Sequence, residues 1–353
     1  MARPDRSPGI QQALLAQVEE HPRDLVRVVA EQLGLSRTSV ATQARALAEA
    51  GYLEKEGTTR PVYRLGSNRK AEFRYRLDGL QEDRVWARDV APQLKGLPSN
   101  VLDICHHGIT EMVNNAIDHS EGTQVRVDVR RNARVVVLAV VDDGVGIFRK
   151  ISRALALPDE RLALLELSKG KLTTDPRRHS GEGVFFTSRM FDHFDIESMG
   201  LVFDHDAAAL DDVLFDVDET EDMRGTTVHM EIACDSPRTA REVFDAFSSG
   251  PDEYAFAKTI VPVRLAQVGD ENLISRSQAK RLLQRVDRFR CVMLDFEGVT
   301  GIGQAFADEI FRVFANQHPE VELVPFHAVP EVQQMIRRAE VLRDQDDGQL
   351  PLL

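Results

Sequence analysis

The run "RVVVLAVVDDGVGI", residues 134–147, restricts the fold more than any other stretch of the chain. A strand that is apolar at every position reads as a buried strand of a larger sheet. It runs straight into Asp142, Gly144 and Gly146. An acid and two glycines at a strand end can be a simple turn, but glycines also let a backbone approach a ligand closely. Just upstream, "TQVRVDVRR" alternates Val125, Val127 and Val129 with Arg126, Asp128 and Arg130, the period of a half-buried strand.

Three further stretches belong with this one. "LPSNVLDICHHGITEMVNNAIDHS" predicts one long helix with Val101, Ile104, Ile109, Met112, Val113, Ala116 and Ile117 on its apolar side. Glu111 and Asn115 stand four residues apart on it and so point the same way. In "HSGEGVFFTSRMFD", Gly181 and Gly183 open an expected helix whose first amides would attract phosphate. "RGTTVHMEI" is a strand preceded by Gly225 and Thr226.

The order Glu-xxx-Asn-Ala, Asp-x-Gly-x-Gly, Gly-x-Gly at a helix start and Gly-Thr before a strand resembles the Bergerat-fold ATP-binding domain. That group, often called GHKL proteins, includes DNA gyrase B subunits, the large heat-shock chaperone ATPases, mismatch-repair ATPases, sensor histidine kinases and anti-sigma-factor serine kinases. The resemblance covers about residues 98–233, within an expected ATP-binding domain of 98–235. It implies an α/β sandwich with a mixed sheet and helices on one face, and it implies ATP and Mg2+ as cofactors. By the same resemblance Asn115 would ligate magnesium, a hard cation that takes oxygen ligands. Asp142 would accept the adenine amino group, Gly144 and Gly146 would admit the nucleotide, Gly181 and Gly183 would cradle phosphate, and Thr226 would sit near adenine. Glu111 would be the general base or would orient magnesium-bound water. In "LELSKGKLTTDPRRHS", where the family keeps a mobile lid, Lys169 or Lys171 would meet the γ-phosphate, with Arg178 and His179 as more remote candidates.

The chemistry stays open. Asp118 resembles the hydrolysing branches, whereas His119 resembles the kinase branch. A histidine kinase needs a dimerising helical hairpin with an accessible phospho-acceptor histidine ahead of its ATP domain, and the sequence suggests none. An ATPase switch is therefore preferred to a histidine or serine/threonine protein kinase, with a non-hydrolysing ATP-binding assembly module as the third reading.

Residues 1–67 read as helix, helix, turn, helix and hairpin. Leu25, Val28, Val29 and Leu33 share one helical face, Gly34 marks a stop, and Ser36 can cap a helix whose inner face is Val40, Ala44 and Leu47. "YLEKEGTTRPVYRL" gives two short strands around Gly57. This stretch resembles a winged helix-turn-helix domain, which implies DNA contacts from Arg37, Thr38, Gln43, Arg45 and Arg60. Residues 1–70 hold 11 Lys+Arg against 8 Asp+Glu in a chain of net charge -13. Residues 68–97 are expected to be a charged connector, becoming helical around Glu82 to Val90.

After a second connector, 236–254, strands and helices alternate, implying a small layered α/β domain over 255–342. Its "VMLDFEGVTGIGQAFAD" resembles the STAS fold of anti-anti-sigma factors and suggests a docking site for a protein partner. Gln304 stands where phospho-regulated members carry serine, with Thr300 the nearest hydroxyl, which argues against a phosphorylation switch there. The acidic tail, 343–353, is expected to be unstructured.

No apolar run of eighteen residues and no signal-type leader is evident, so the expectation is a cytoplasmic protein without membrane contact. Cys105, Cys234 and Cys291 are far apart and outside any CxxC pattern, which supports neither a disulfide framework nor a zinc site. Homodimers are common among relatives of the ATP domain, but no heptad pattern marks a seam here.

Overall fold

A computed structural model of the protein describes residues 7–172, 181–206, 211–216, 224–250, 253–267 and 272–348. Helices α1 (Ser7–Gln17), α2 (Leu25–Leu33) and α3 (Arg37–Glu49) come first, followed by an antiparallel hairpin of β1 (Leu53–Glu56) and β2 (Val62–Leu65). Helix α2 stops at Gly34, whose φ of 62° lies in the left-handed region that glycine tolerates. Helix α3 starts at Ser36, whose hydroxyl accepts the Ser39 N–H at 3.2 Å. Leu14, Val18, Leu25, Val29, Val40, Ala44, Leu47, Leu53 and Tyr63 form a core belonging to this unit alone.

Strand β3 (Arg69–Arg76) corrects the expected connector, because it is the edge strand of the main sheet, pairing antiparallel with β4 (Gln124–Arg131). Between them run α4 (Glu82–Arg84), continuing as irregular helical turns to Leu94, and the long helix α5 (Ser99–His119). The sheet goes on with β5 (Val135–Asp142); then come α6 (Ile147–Leu155), α7 (Leu162–Ser168) and α8 (Gly183–Met190). Strands β6 (His193–Ser198), β7 (Leu201–Asp206), β8 (Asp211–Asp216) and β9 (Thr227–Ala233) complete it, in the spatial order β3-β4-β5-β9-β6-β7-β8.

Every pairing in this sheet is antiparallel, so it is not the mixed sheet that the resemblance implied. The alternation explains how it packs. Val125, Val127, Val129, Val136, Leu138, Val140, Met230 and Ile232 are buried on one face, where α5 lies across β5 and β9. On the opposite face of β5, Val135, Val137 and Val141 are only half-buried, although every residue from Val135 to Val141 is apolar.

Helix α9 (Ala240–Phe247), capped by a reciprocal Thr239–Glu242 box, and the small hairpin β10 (Ser248–Gly250) and β11 (Glu253–Phe256) lead to the C-terminal layer. There β12 (Lys258–Pro262), β13 (Cys291–Asp295) and β14 (Glu322–Phe326) form a parallel sheet in that order. Parallel neighbours need crossovers. Helix α10 (Arg276–Leu283) makes the first; α11 (Gln304–Asp308), a wider turn over Glu309–Phe314 and α12 (Ala315–Gln317) make the second. Helix α13 (Pro330–Gly348) continues past the point where an unstructured tail was expected.

The antiparallel sheet and the C-terminal layer share one hydrophobic core. Aromatic rings bridge them: Phe256 lies 4.5 Å from Phe185 and 5.2 Å from Phe289 between ring centroids.

Candidate functional site

A cavity of about 310 Å3 opens beside α5 and the end of β5. Glu111 and Asn115 reach it from α5, Asp142 from the end of β5, Thr226 from the approach to β9, and Gly181 and Gly183 from the start of α8. Met112, Val140, Ile196 and Val228 give it an apolar floor. Residues from four separate sequence segments thus meet around one cavity, and the spacing of Glu111 and Asn115 on α5 is what aims both at the same space.

Asp142 is buried, and its Oδ1 accepts the Gly144 N–H at 2.8 Å. Burial pushes this carboxyl up to about 6, partly offset by hydrogen bonds from Gly144 and Thr226. Its own backbone N–H donates to the Thr226 carbonyl at 3.0 Å, while the Thr226 hydroxyl accepts the Ile147 N–H at 3.1 Å. Asp142 and Thr226 are therefore held as one unit across β5 and the approach to β9.

Gly144 and Gly146 do not line the cavity. A Cβ on Gly144 would collide with the Ser120 backbone, and Gly146, at φ 87°, faces Ser198 and Met199. Their small size serves close packing of the turn beneath the cavity. Gly183 does border it: a Cβ there would collide with Glu111 Oε2. The missing side chain leaves the carboxylate its place beside the first turn of α8.

Lys169 and Lys171 are not brought to the cavity. Lys169 is fully buried and its ammonium donates to Glu166 Oε1 at 2.6 Å, the Gln284 carbonyl at 3.0 Å and the Arg281 carbonyl at 3.2 Å. Burial lowers its pKa, with Glu166 opposing the shift. Lys171 donates to the Arg288 carbonyl at 2.9 Å and lies over the Phe289 ring at 4.6 Å. Both lysines are engaged by the C-terminal layer, a correction that a local reading of a Lys-Gly-Lys turn could not supply. Arg178 and His179 lie outside the described residues.

Among the described residues, the lysine that does border the cavity is Lys150, which sequence reasoning missed. It donates to the His119 carbonyl at 2.6 Å and pairs with Glu121 at 3.1 Å. Ile147 and Ile151, four residues apart on the same helix, also line the cavity, so that amphipathic spacing was the available signal.

On the N-terminal unit, Arg37, Thr38, Arg45 and Arg60 are exposed. Gln43 is not an outward residue: it accepts a hydrogen bond from Gln11 at 2.8 Å and donates to Ser7 at 3.1 Å, bracing α3 on α1. Asp295, Glu297 and His327 form a further ionisable group at the ends of β13 and β14, knit by bonds of its own: Asp295 Oδ1 lies 3.0 Å from both the Glu297 N–H nitrogen and His327 Nδ1.

Residues 73–202 match the family model of a histidine kinase-like ATPase domain. The span runs from within β3 to within β7 and contains the α5 pair, the end of β5 and the start of α8. The first strand of this ATPase-like domain is therefore the stretch that reads as a connector in the sequence. Residues 278–333 match the family model of a STAS-like domain of unknown function, from α10 into α13. No curated protein matches the chain. Among the described residues no helix is long and apolar enough to cross a membrane.

Proposed function

We propose that the chain is an ATP-binding regulator in which a magnesium-dependent ATPase switch couples nucleotide state to DNA or partner-protein binding. One observation carries this reading: the convergence of Glu111, Asn115, Asp142, Gly181, Gly183 and Thr226 on a single cavity within the ATPase-like domain. The residues suit the ligand. A buried acceptor, Asp142, fits an adenine amino group. The amide nitrogen of Asn115 contacts Met112 Sδ at 4.0 Å, which leaves its oxygen to a hard cation. The first turn of α8 offers backbone N–H groups to phosphate.

In this reading magnesium, when bound, neutralises charge on the phosphates. Glu111 takes the proton of a water whose oxygen bonds to the γ-phosphorus as ADP departs. Lys150 supplies positive charge at the rim. The three-helix unit with its hairpin is read as a winged helix-turn-helix, with Arg37, Thr38, Arg45 and Arg60 as its DNA-facing residues, and the STAS-like domain as a docking or output element.

Phosphate release from ATP with magnesium, in wild type and Glu111→Gln, tests the chemistry. Slow release that disappears in the variant while ATP binding persists supports the switch. Label from γ-phosphate appearing on a protein band would instead support phosphotransfer. Binding without turnover in wild type would leave an ATP-dependent assembly module.

A further inference from the structure

The cavity wall beside α8 is held from outside the ATPase-like fold. Leu167 and Leu172 line the cavity, and the Leu172 N–H donates to the Gly181 carbonyl at 2.9 Å, so the segment after α7 is tied directly to the start of α8. The other side of that segment is gripped by the STAS-like domain. Arg285 donates through Nη1 to Glu166 Oε2 at 2.7 Å, and through Nη2 to the carbonyls of Gly170 at 2.9 Å and Lys171 at 2.6 Å. Lys169 reaches the opposite oxygen of Glu166 and the carbonyls of Arg281 and Gln284, and Thr259 donates its hydroxyl to the Lys169 carbonyl at 2.7 Å.

The charged side chains of this junction are close to dry, with 2 % of Glu166, 0 % of Lys169 and 10 % of Arg285 exposed. Burying one carboxylate with two cations is a poor way to gain stability, since apolar residues of similar volume generally do as well. What a planar, multidentate guanidinium provides is fixed geometry. Here it fixes two consecutive backbone carbonyls immediately before a cavity-lining residue.

We infer that Arg285 is a positioning residue for the nucleotide pocket: the STAS-like domain holds the Glu166–Leu172 segment, and Gly181 through it, in the arrangement that receives ATP. Pocket occupancy and the state of the 281–288 turn are then coupled, and coupling between binding equilibria is reciprocal. Whatever docks on or displaces that turn changes ATP affinity, and ATP stiffens the turn. This inference rests on the cavity being the ATP site.

The test uses the full chain with Mg-ATP. Calorimetry on wild type, Arg285→Ala and Arg285→Lys is combined with amide exchange in wild type with and without nucleotide, and thermal melting checks that each variant is folded. Arg285→Ala is expected to weaken ATP binding on the order of tenfold. Arg285→Lys, which keeps the charge and loses the fork, should recover only part of that affinity. In wild type, ATP should slow exchange over 281–288 more than in α13 of the same domain. Wild-type ATP affinity in a folded Arg285→Ala protein overturns the inference. So does unchanged relative exchange at 281–288, which decides the matter even if Arg285→Ala does not fold. Failure of wild type to bind ATP at all is a different result, which removes the nucleotide reading itself.

Discussion

The backbone N–H of Gly144 donates to Asp142 Oδ1 at 2.8 Å, so the carboxylate that ends β5 is held by the turn that follows it. Asp142 is buried and its carboxyl is pushed up to about 6. The ionised form is the one that can accept an adenine amino group with its second oxygen. ATP affinity should therefore fall as pH drops through about 6 and flatten above about 7. Calorimetry between those values checks this; an affinity that does not change would separate Asp142 from adenine.

The same shift has a stability sign. A folded-state pKa raised above the unfolded value means that this group favours folding most below the unfolded pKa and loses that contribution as pH rises through about 6. Asp142→Asn should raise the nucleotide-free unfolding free energy at pH 7 by up to roughly 3 kcal/mol. Its single side-chain oxygen is engaged by Gly144, so ATP affinity should fall in the same variant. Chemical denaturation and ATP titration of one preparation would measure both effects.

Two glycine substitutions should behave differently. In Gly183→Ala the new Cβ meets the end of the Glu111 side chain, which can swing away. The protein should stay folded while phosphate release drops with Glu111 displaced. In Gly225→Ala the Cβ meets the Asp142 backbone carbonyl, and the residue sits at φ 87°. Backbone cannot yield so cheaply, and a loss of about 1–3 kcal/mol is expected. Thermal melts beside turnover assays distinguish the two; a Gly183→Ala protein with full turnover would contradict the placement of Glu111.

Unfolding should show two units. The core around Leu14 is separate from the core that joins the ATPase-like and STAS-like domains. Leu14→Ala should lower only a transition of the N-terminal unit, by about 2–5 kcal/mol, and Phe256→Ala only the main transition, by about 3–5 kcal/mol. Scanning calorimetry reads both. Separate melting of the ATPase-like and STAS-like regions would contradict a shared core.

Removing Arg37, Arg45 or Arg60 should weaken DNA binding and reduce the salt slope by about one for each phosphate that is no longer neutralised. Gln43→Ala should leave DNA affinity unchanged and soften the packing of α1 on α3. Fluorescence anisotropy on duplex DNA at several salt concentrations tests this; equal affinity for all three arginine variants and wild type would remove these arginines as DNA contacts, and no binding by wild type would remove DNA as the ligand.

The sequence is most legible where spacing and chemistry are local. The i and i+4 relation of Glu111 and Asn115, the apolar run into Asp142 and the capping serine of α3 all hold. What escapes a local reading depends on distant partners. In β3, Ala71, Phe73 and Tyr75 do alternate with Lys70, Glu72, Arg74 and Arg76, but the dense charge of the segment obscures a strand that only β4 completes. Lys169 looks like a phosphate ligand until Glu166, Arg281 and Gln284 close around it. Gln43 sits among outward residues in sequence and turns to α1 in space. The glycines of Asp-x-Gly-x-Gly are legible as necessary; that they answer to Ser120, Ser198 and Met199 is not.

Titration of wild type and Asn115→Ala with ATP, with and without magnesium, in a calorimeter shows whether the cavity beside α5 takes Mg-ATP. Wild type should bind ATP more tightly when magnesium is present, and Asn115→Ala should lose that magnesium-dependent gain while remaining folded. Absence of ATP binding by wild type, or an undiminished magnesium effect in Asn115→Ala, would contradict the assignment of this cavity as a Mg-ATP site.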